Sequence, residues 1–131
     1  MNEAFKKFVI YQMYPRSFKD TNGDGVGDLN GITQKLEYVK SLGVDAIWLS
    51  PVYCLAGTDF GYDITDFKDI HPDLGTMKDF EKLVKTAHGL GLKVIMDIVL
   101  NHTSDQHNWF KESASDADNS YRDYYIWRTG R

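Results

Sequence analysis

One cysteine, Cys54, stands in the 131 residues, so no disulfide can form within the chain and no cysteine-based zinc site can assemble. That scarcity favours a cytoplasmic protein, where thiols stay reduced. Long apolar runs are missing as well. Nothing approaches the roughly 18 consecutive apolar residues of a membrane-spanning helix, and the opening MNEAFKKFVI lacks the extended apolar stretch of a secretory signal. Basic charge is also scarce. With 15 Lys plus Arg against 19 Asp plus Glu, the net charge is −4 and no basic cluster exists to meet a phosphate backbone, which argues against nucleic acid as a partner. Internal repeats, low-complexity tracts and linkers are absent too, although the tail after Asn101 turns markedly more polar. What remains, 42% hydrophobic and 26% charged, is the composition of one soluble globular domain.

Among what is present, the stretch DTNGDGVGDLNG at 20–31 looks like the front of an EF-hand calcium loop. That loop takes oxygen ligands at positions 1, 3 and 5, Gly at 6, a backbone carbonyl at 7 and a bidentate Glu at 12. Asp20, Asn22, Asp24, Gly25 and Val26 occupy the first five of those places, but Gly31 stands where the Glu belongs. The residues before it, FVIYQMYPRSF, are β-branched and aromatic and interrupted by Pro15, which is strand chemistry and not an EF-hand helix. The alternating oxygens therefore suit a hard cation at a strand-to-helix turn, calcium with magnesium as the alternative, and Asp28 as an additional ligand. The plainer alternative is a Gly/Asn/Asp-rich turn that binds nothing.

Helical periodicity follows in GITQKLEYVKSLG, where Ile32, Leu36, Val39 and Leu42 recur on one face and Gly43 supplies a left-handed stop. Only Val44 and Asp45 separate that glycine from AIWLSP, a short apolar run without polar alternation, as in a strand covered on both faces. A second helix is predicted in TMKDFEKLVKTAHGLG. Thr76 and Asp79 form a capping box there, Met77, Phe80, Leu83, Val84 and Ala87 make one face, and Gly89 or Gly91 ends it. The third strand is KVIMDIVLNH. The order β-α-β-α-β implies parallel strands joined by right-handed crossovers.

The predicted loops are lopsided. Helix-to-strand connections take a few residues, whereas strand-to-helix connections run about fifteen and about twenty-five residues, against a usual two to six. They hold most of the acidic, aromatic and imidazole groups, which fits a (β/α)8 barrel with its site at the carboxyl ends of the strands. A doubly wound nucleotide-binding fold is the rival, but its first turn should be phosphate-friendly, and the acidic DTNGDGVGD is not. A barrel needs about 250 residues. The expectation is therefore a fragment: residues 1–102 as the first part of the barrel, and 103–131 as the start of a subdomain inserted after the third strand.

Two stretches carry chemistry. GTDFGYDITDF sets Asp59, Tyr62, Asp63 and Asp66 among aromatic rings, which supplies acceptors for sugar hydroxyls and a flat face for sugar C–H groups. A turn that merely packs would have the same composition. In DIVLNH, strand alternation would place Asp97, Val99 and Asn101 on one side with His102 opening the loop. A His there can donate to a substrate hydroxyl or bind a metal, while Asp97 and Asn101 fit better as a network satisfying buried backbone. His71, His88 and His107 look like ordinary loop or helix-end residues.

Together, IYQMYPRSFKDTNGDGVGDLNGITQKLEYVKSLGVDAIWLSPVY, DFGYDITDF, DIVLNHTSDQHNWFKES and YRDYYIWR closely resemble the amino-terminal part of the α-glucosidase and oligo-1,6-glucosidase branch of the α-amylase family. The resemblance covers nearly the whole chain and departs from the commoner form only between Cys54 and Phe60. It implies a (β/α)8 barrel that hydrolyses α-glucosidic bonds with retention. It also implies a calcium loop of Asp20, Asn22, Asp24, the Val26 carbonyl and Asp28. Asp59 and Tyr62 match residues holding the non-reducing glucose, and His102 matches the histidine of the first conserved region. No catalytic residue is implied within the chain: the nucleophile, the acid/base and a third acid belong to later strands beyond Arg131, as do the choices among α-1,4, α-1,6, trehalose phosphate and sucrose substrates. The alternative from another class is a small non-catalytic calcium- or carbohydrate-binding domain. No membrane partner is expected.

Overall fold

The structure is a computed structural model that describes residues 6–130. In chain order its elements are β1 (Ile10–Met13), the single-turn helix α1 (Pro15–Phe18), α2 (Leu29–Ser41), β2 (Ala46–Leu49), β3 (Tyr53–Leu55), β4 (Ile64–Ile70) and a 3-10 turn at Pro72–Leu74. They continue with α3 (Met77–Gly89), β5 (Lys93–Met96), α4 (Asn108–Ser115) and a 3-10 turn at Arg122–Tyr124. The chain divides into two compact units, one of Met1–Val52 with Asp69–Ile98, the other of Tyr53–Lys68 with Val99–Arg131.

The first unit is built on a parallel sheet in the order β1-β2-β5. Its register runs from Ile10 opposite Ala46 and Ala46 opposite Lys93 to Met13 opposite Leu49 and Leu49 opposite Met96. Ile32, Leu36 and Val39 on α2, Ile47 and Leu49 on β2, and Leu83 and Ala87 on α3 share one buried cluster with Met13, Leu74 and Leu92. The helix ends are those the local residues dictate. Gly43 takes φ +80 and closes α2 by donating to the Lys40 carbonyl. Thr76 and Asp79 complete the capping box of α3, and Gly91 at φ +71 follows its end.

Three features depart from the sequence expectation. Pro15 does not merely interrupt the first strand; it occupies the first turn of α1, where its fixed φ is suited and its missing N–H is not required. The connection after β2 is not irregular, because β3 and β4 pair there in a two-stranded sheet. The third strand stops at Met96, so Asp97, Val99 and Asn101 are not aligned by strand alternation. The reason lies in its neighbour. β2 runs only to Leu49 before Ser50 and Pro51, and the Asp97 N–H makes the last bond, to the Leu49 carbonyl, because proline offers no donor to carry the ladder on.

The second unit is held by rings. Trp109 lies 4.5 Å from His107, 6.3 Å from Phe67 and 6.5 Å from Tyr121, measured between ring centroids. The Trp127 indole donates to Ser113 Oγ at 2.8 Å beneath the Arg122 guanidinium, which sits 4.6 Å from its ring. Among the described residues no helix is long and apolar enough to cross a membrane.

Candidate functional site

The loop between α1 and α2 belongs to the first unit and is closed by backbone. Gly27 donates to the Arg16 carbonyl at 2.7 Å and Asp28 to the Lys19 carbonyl at 3.0 Å. A Cβ on Gly27 would lie 2.2 Å from the Pro15 carbonyl oxygen, and one on Gly31 would lie 2.0 Å from that of Lys19, so both approaches demand glycine. Within the loop, Asp20 Oδ1 accepts from the N–H groups of Asn22 and Gly23, and its Oδ2 from Gly25. The Gly23 and Gly25 bonds chiefly hold this carboxyl below its ordinary value of 3.8. Asn22 Oδ1 accepts from Asp24 N–H, its amide donates to Asp24 Oδ2, and Asp24 Oδ1 accepts from Val26 N–H.

Asp28 is turned to another task. One of its oxygens caps α2 by accepting from Gly31 N–H at 2.7 Å, and the other accepts from the Thr21 N–H and hydroxyl, both at 2.8 Å. Among the described residues no three His, Cys, Asp or Glu side chains form a metal-sized group. The oxygen-bearing side chains of the turn are Asp20, Asn22 and Asp24, of which Asn22 and Asp24 bond each other directly. This is an all-oxygen set of the kind a hard cation prefers.

The predicted sugar contacts fall in the second unit. Between β3 and β4 the chain turns at Asp59–Tyr62, where Tyr62 N–H donates to the Asp59 carbonyl at 2.8 Å. Phe60 has φ +48 and Gly61 φ +108. His102 joins this turn through its ring, with Nε2 3.0 Å from the Tyr62 carbonyl and Nδ1 3.1 Å from the Asn101 amide nitrogen. A carbonyl can only accept, so Nε2 donates to it, and Nδ1 accepts from the amide. A sugar hydroxyl reaching Nε2 would replace the bond to Tyr62. Asp59, Tyr62 and His102 thus meet in one unit, whereas Asp97 lies in the other.

Two groups named in the sequence take roles that it did not disclose. Asp63 anchors the same turn by accepting from Thr58, a pairing signalled only by a Thr five residues before an Asp in a Gly-bounded segment. His107 is buried at the N-terminus of α4, where Nδ1 accepts from Trp109 N–H. His107 does sit at a helix end as expected, but burial lowers its pKa from 6.5, against a smaller opposing pull from Asp66.

A parallel sheet with helices in its crossovers defines an α/β domain. The particular family follows from direct comparison. The chain belongs to the alpha-amylase family, whose catalytic-domain model matches residues 12–131. It is 56% identical over 127 residues to an oligo-1,6-glucosidase from Parageobacillus thermoglucosidasius, and 57% identical over 124 residues to a trehalose-6-phosphate hydrolase from Bacillus subtilis. These alignments cover 97% and 95% of this chain but 23% and 22% of the relatives. Among solved structures, the trehalose-6-phosphate hydrolase of Bacillus licheniformis superposes with a TM-score of 0.94 at 57% identity, over 97% of this chain and 23% of that one. The trehalulose synthase MutB of Pseudomonas mesoacidophila gives 0.95 at 53% identity, over 98% and 23%; MutB variants have also been solved with sucrose and with glucose. The chain therefore spans about a quarter of the length of its relatives.

Proposed function

We propose that the chain is the opening part of a retaining α-glucoside hydrolase that acts on short α-glucosides in cytoplasmic carbohydrate metabolism. In this reading residues 1–102 form the first three β/α units of a (β/α)8 barrel, and 103–131 begin a subdomain inserted after the third strand. The supporting observation is the single turn that carries Asp59 and Tyr62 and receives the His102 ring at 3.0 Å. Asp59 offers acceptors for glucose hydroxyls, Tyr62 a face for the C–H side of the ring, and His102 a donor. Cleavage with retention needs two carboxyl groups about 5 to 5.5 Å apart, and segments outside these 131 residues supply them. The 20–28 loop holds calcium, or magnesium in its place, through Asp20, Asn22, Asp24 and the Val26 carbonyl, with Asp28 fixing the loop to α2. This ion is structural, because the loop has no bidentate Glu and no pair of helices to open.

The test is hydrolysis of a nitrophenyl α-glucoside by the full-length gene product. Wild-type turnover is expected, with His102→Ala and Asp59→Ala each lowering kcat/KM by about 100-fold or more through lost contacts that strengthen toward the transition state. An inactive wild type, or variants as active as wild type, would overturn the reading.

A further inference from the structure

Asp63 follows Tyr62 directly and is only 7% exposed. Its Oδ2 accepts from Thr58 N–H at 2.6 Å and from the Thr58 hydroxyl at 2.8 Å. Its Oδ1 is buried with no hydrogen-bond partner among the described residues. An incompletely satisfied buried carboxylate is unfavourable, and a group kept in that condition calls for an account. Burial raises the pKa of this carboxyl, but the Thr58 bonds outweigh it and leave it below the ordinary 3.8, so it is ionised at neutral pH and accepts from both donors.

What the carboxylate closes is a turn that local energetics disfavour. Phe60 holds φ +48, a conformation adverse to a bulky side chain, yet the residue is 79% exposed, so apolar burial does not hold it there. Inside the same closure Tyr62 N–H bonds the Asp59 carbonyl. We propose that Asp63 is a positioning residue, which clamps the Thr58–Asp63 turn through Thr58 and so sets Asp59 and Tyr62 for the glucosyl ring. The inference rests on the α-glucoside reading above. Strain held at a turn that displays substrate-contacting groups is a form of preorganisation, and loss of the clamp costs binding geometry before it costs folding.

The experiment uses the full-length enzyme. Asp63→Ala should lower kcat/KM for a nitrophenyl α-glucoside by about 100-fold and weaken inhibition by glucose in parallel, both per active molecule. Thr58→Val, which keeps the amide and loses the hydroxyl, should cost about tenfold, and Thr58→Ser should return to within about twofold of wild type. Asp63→Ala combined with Thr58→Val should be no worse than Asp63→Ala alone, because the two act as one unit. Amide exchange at Thr58 reads the clamp without activity: it should speed up in Asp63→Ala while Ile47 in β2 stays protected. Unchanged Thr58 exchange, or faster exchange with kcat/KM and glucose inhibition intact, overturns the inference. If Asp63→Ala does not fold, the Thr58→Val and Thr58→Ser pair decides. Should the wild type cleave no α-glucoside, the functional reading fails by itself, and Thr58 exchange alone judges the clamp.

Discussion

Asp24 and His107 show how one side chain can be read to a measurable outcome. Asp24 gives one oxygen to Val26 N–H and the other to the Asn22 amide, so it ties the proposed cation loop together from its middle. If calcium binds only the native loop, it adds about 2.7 kcal/mol at a hundred times its dissociation constant. Asp24→Ala should abolish the calcium-dependent rise in melting temperature of the full-length enzyme and leave kcat nearly intact; a rise that survives would mean the loop is only a turn. His107 concerns pH. Its folded-state pKa is depressed, so the unfolded chain binds more protons as pH falls from about 6.5, and the stability present above that pH is lost through the folded-state value. His107→Asn preserves a capping oxygen for α4 and removes the titration. The variant should lose the part of the acid-side decline in stability that sets in as pH falls below about 6.5, which denaturant melts of wild type and variant would read.

At the level of elements, glycines with opposite surroundings give a paired prediction. Gly31 sits in the first turn of α2, where alanine is intrinsically favoured over glycine by about 1 kcal/mol. Its Cβ, however, would lie 2.0 Å from the Lys19 carbonyl oxygen, which is backbone and cannot step aside. Overpacking of this kind costs about 1 to 3 kcal/mol, so Gly31→Ala should destabilise despite better helix propensity. Gly89, at the end of α3, has nothing within 4 Å of its would-be Cβ, so Gly89→Ala should be neutral or stabilising by up to about 1 kcal/mol. Denaturant titration of both variants checks the sign. The same contrast shows what the sequence disclosed. The stripes of α2 and α3, the Thr76–Asp79 box and the Gly43 stop were legible because each is fixed within a turn or two of chain. The end of β5 was not, since it is set by Pro51 just past the neighbouring strand β2. Nor was the β3–β4 pair, since β3 is only 3 residues long and a turn stabilised by Asp63 separates it from β4. For the proposed site the sequence names residue types, Asp59, Tyr62 and His102, but the bond from His102 to the Tyr62 carbonyl spans 40 positions and leaves no local pattern.

At the scale of the whole molecule, the parallel sheet is the decisive feature. Among the described residues only β2 has a strand on both sides, so β1 and β5 each present an edge of backbone donors and acceptors without a strand partner. Apolar groups accompany those edges: Val9 is 55% exposed, Ile10 45% and Ile98 58%. In the second unit Leu100 is 82% and Ile126 89% exposed. Parallel strands are ordinarily covered on both faces and at their edges, and relatives about four times as long hold the polypeptide that would provide such cover. The 131-residue chain prepared alone should therefore bind a dye specific for exposed apolar surface and associate as concentration rises. It should also release no nitrophenol from an α-glucoside, since the proposed reading puts the nucleophile outside these residues. Sedimentation over a range of concentrations, with dye fluorescence and the glucoside assay on the same sample, tests all three. A monodisperse monomer that melts cooperatively would instead favour an independent binding domain, because a self-sufficient core has no need of strands from elsewhere.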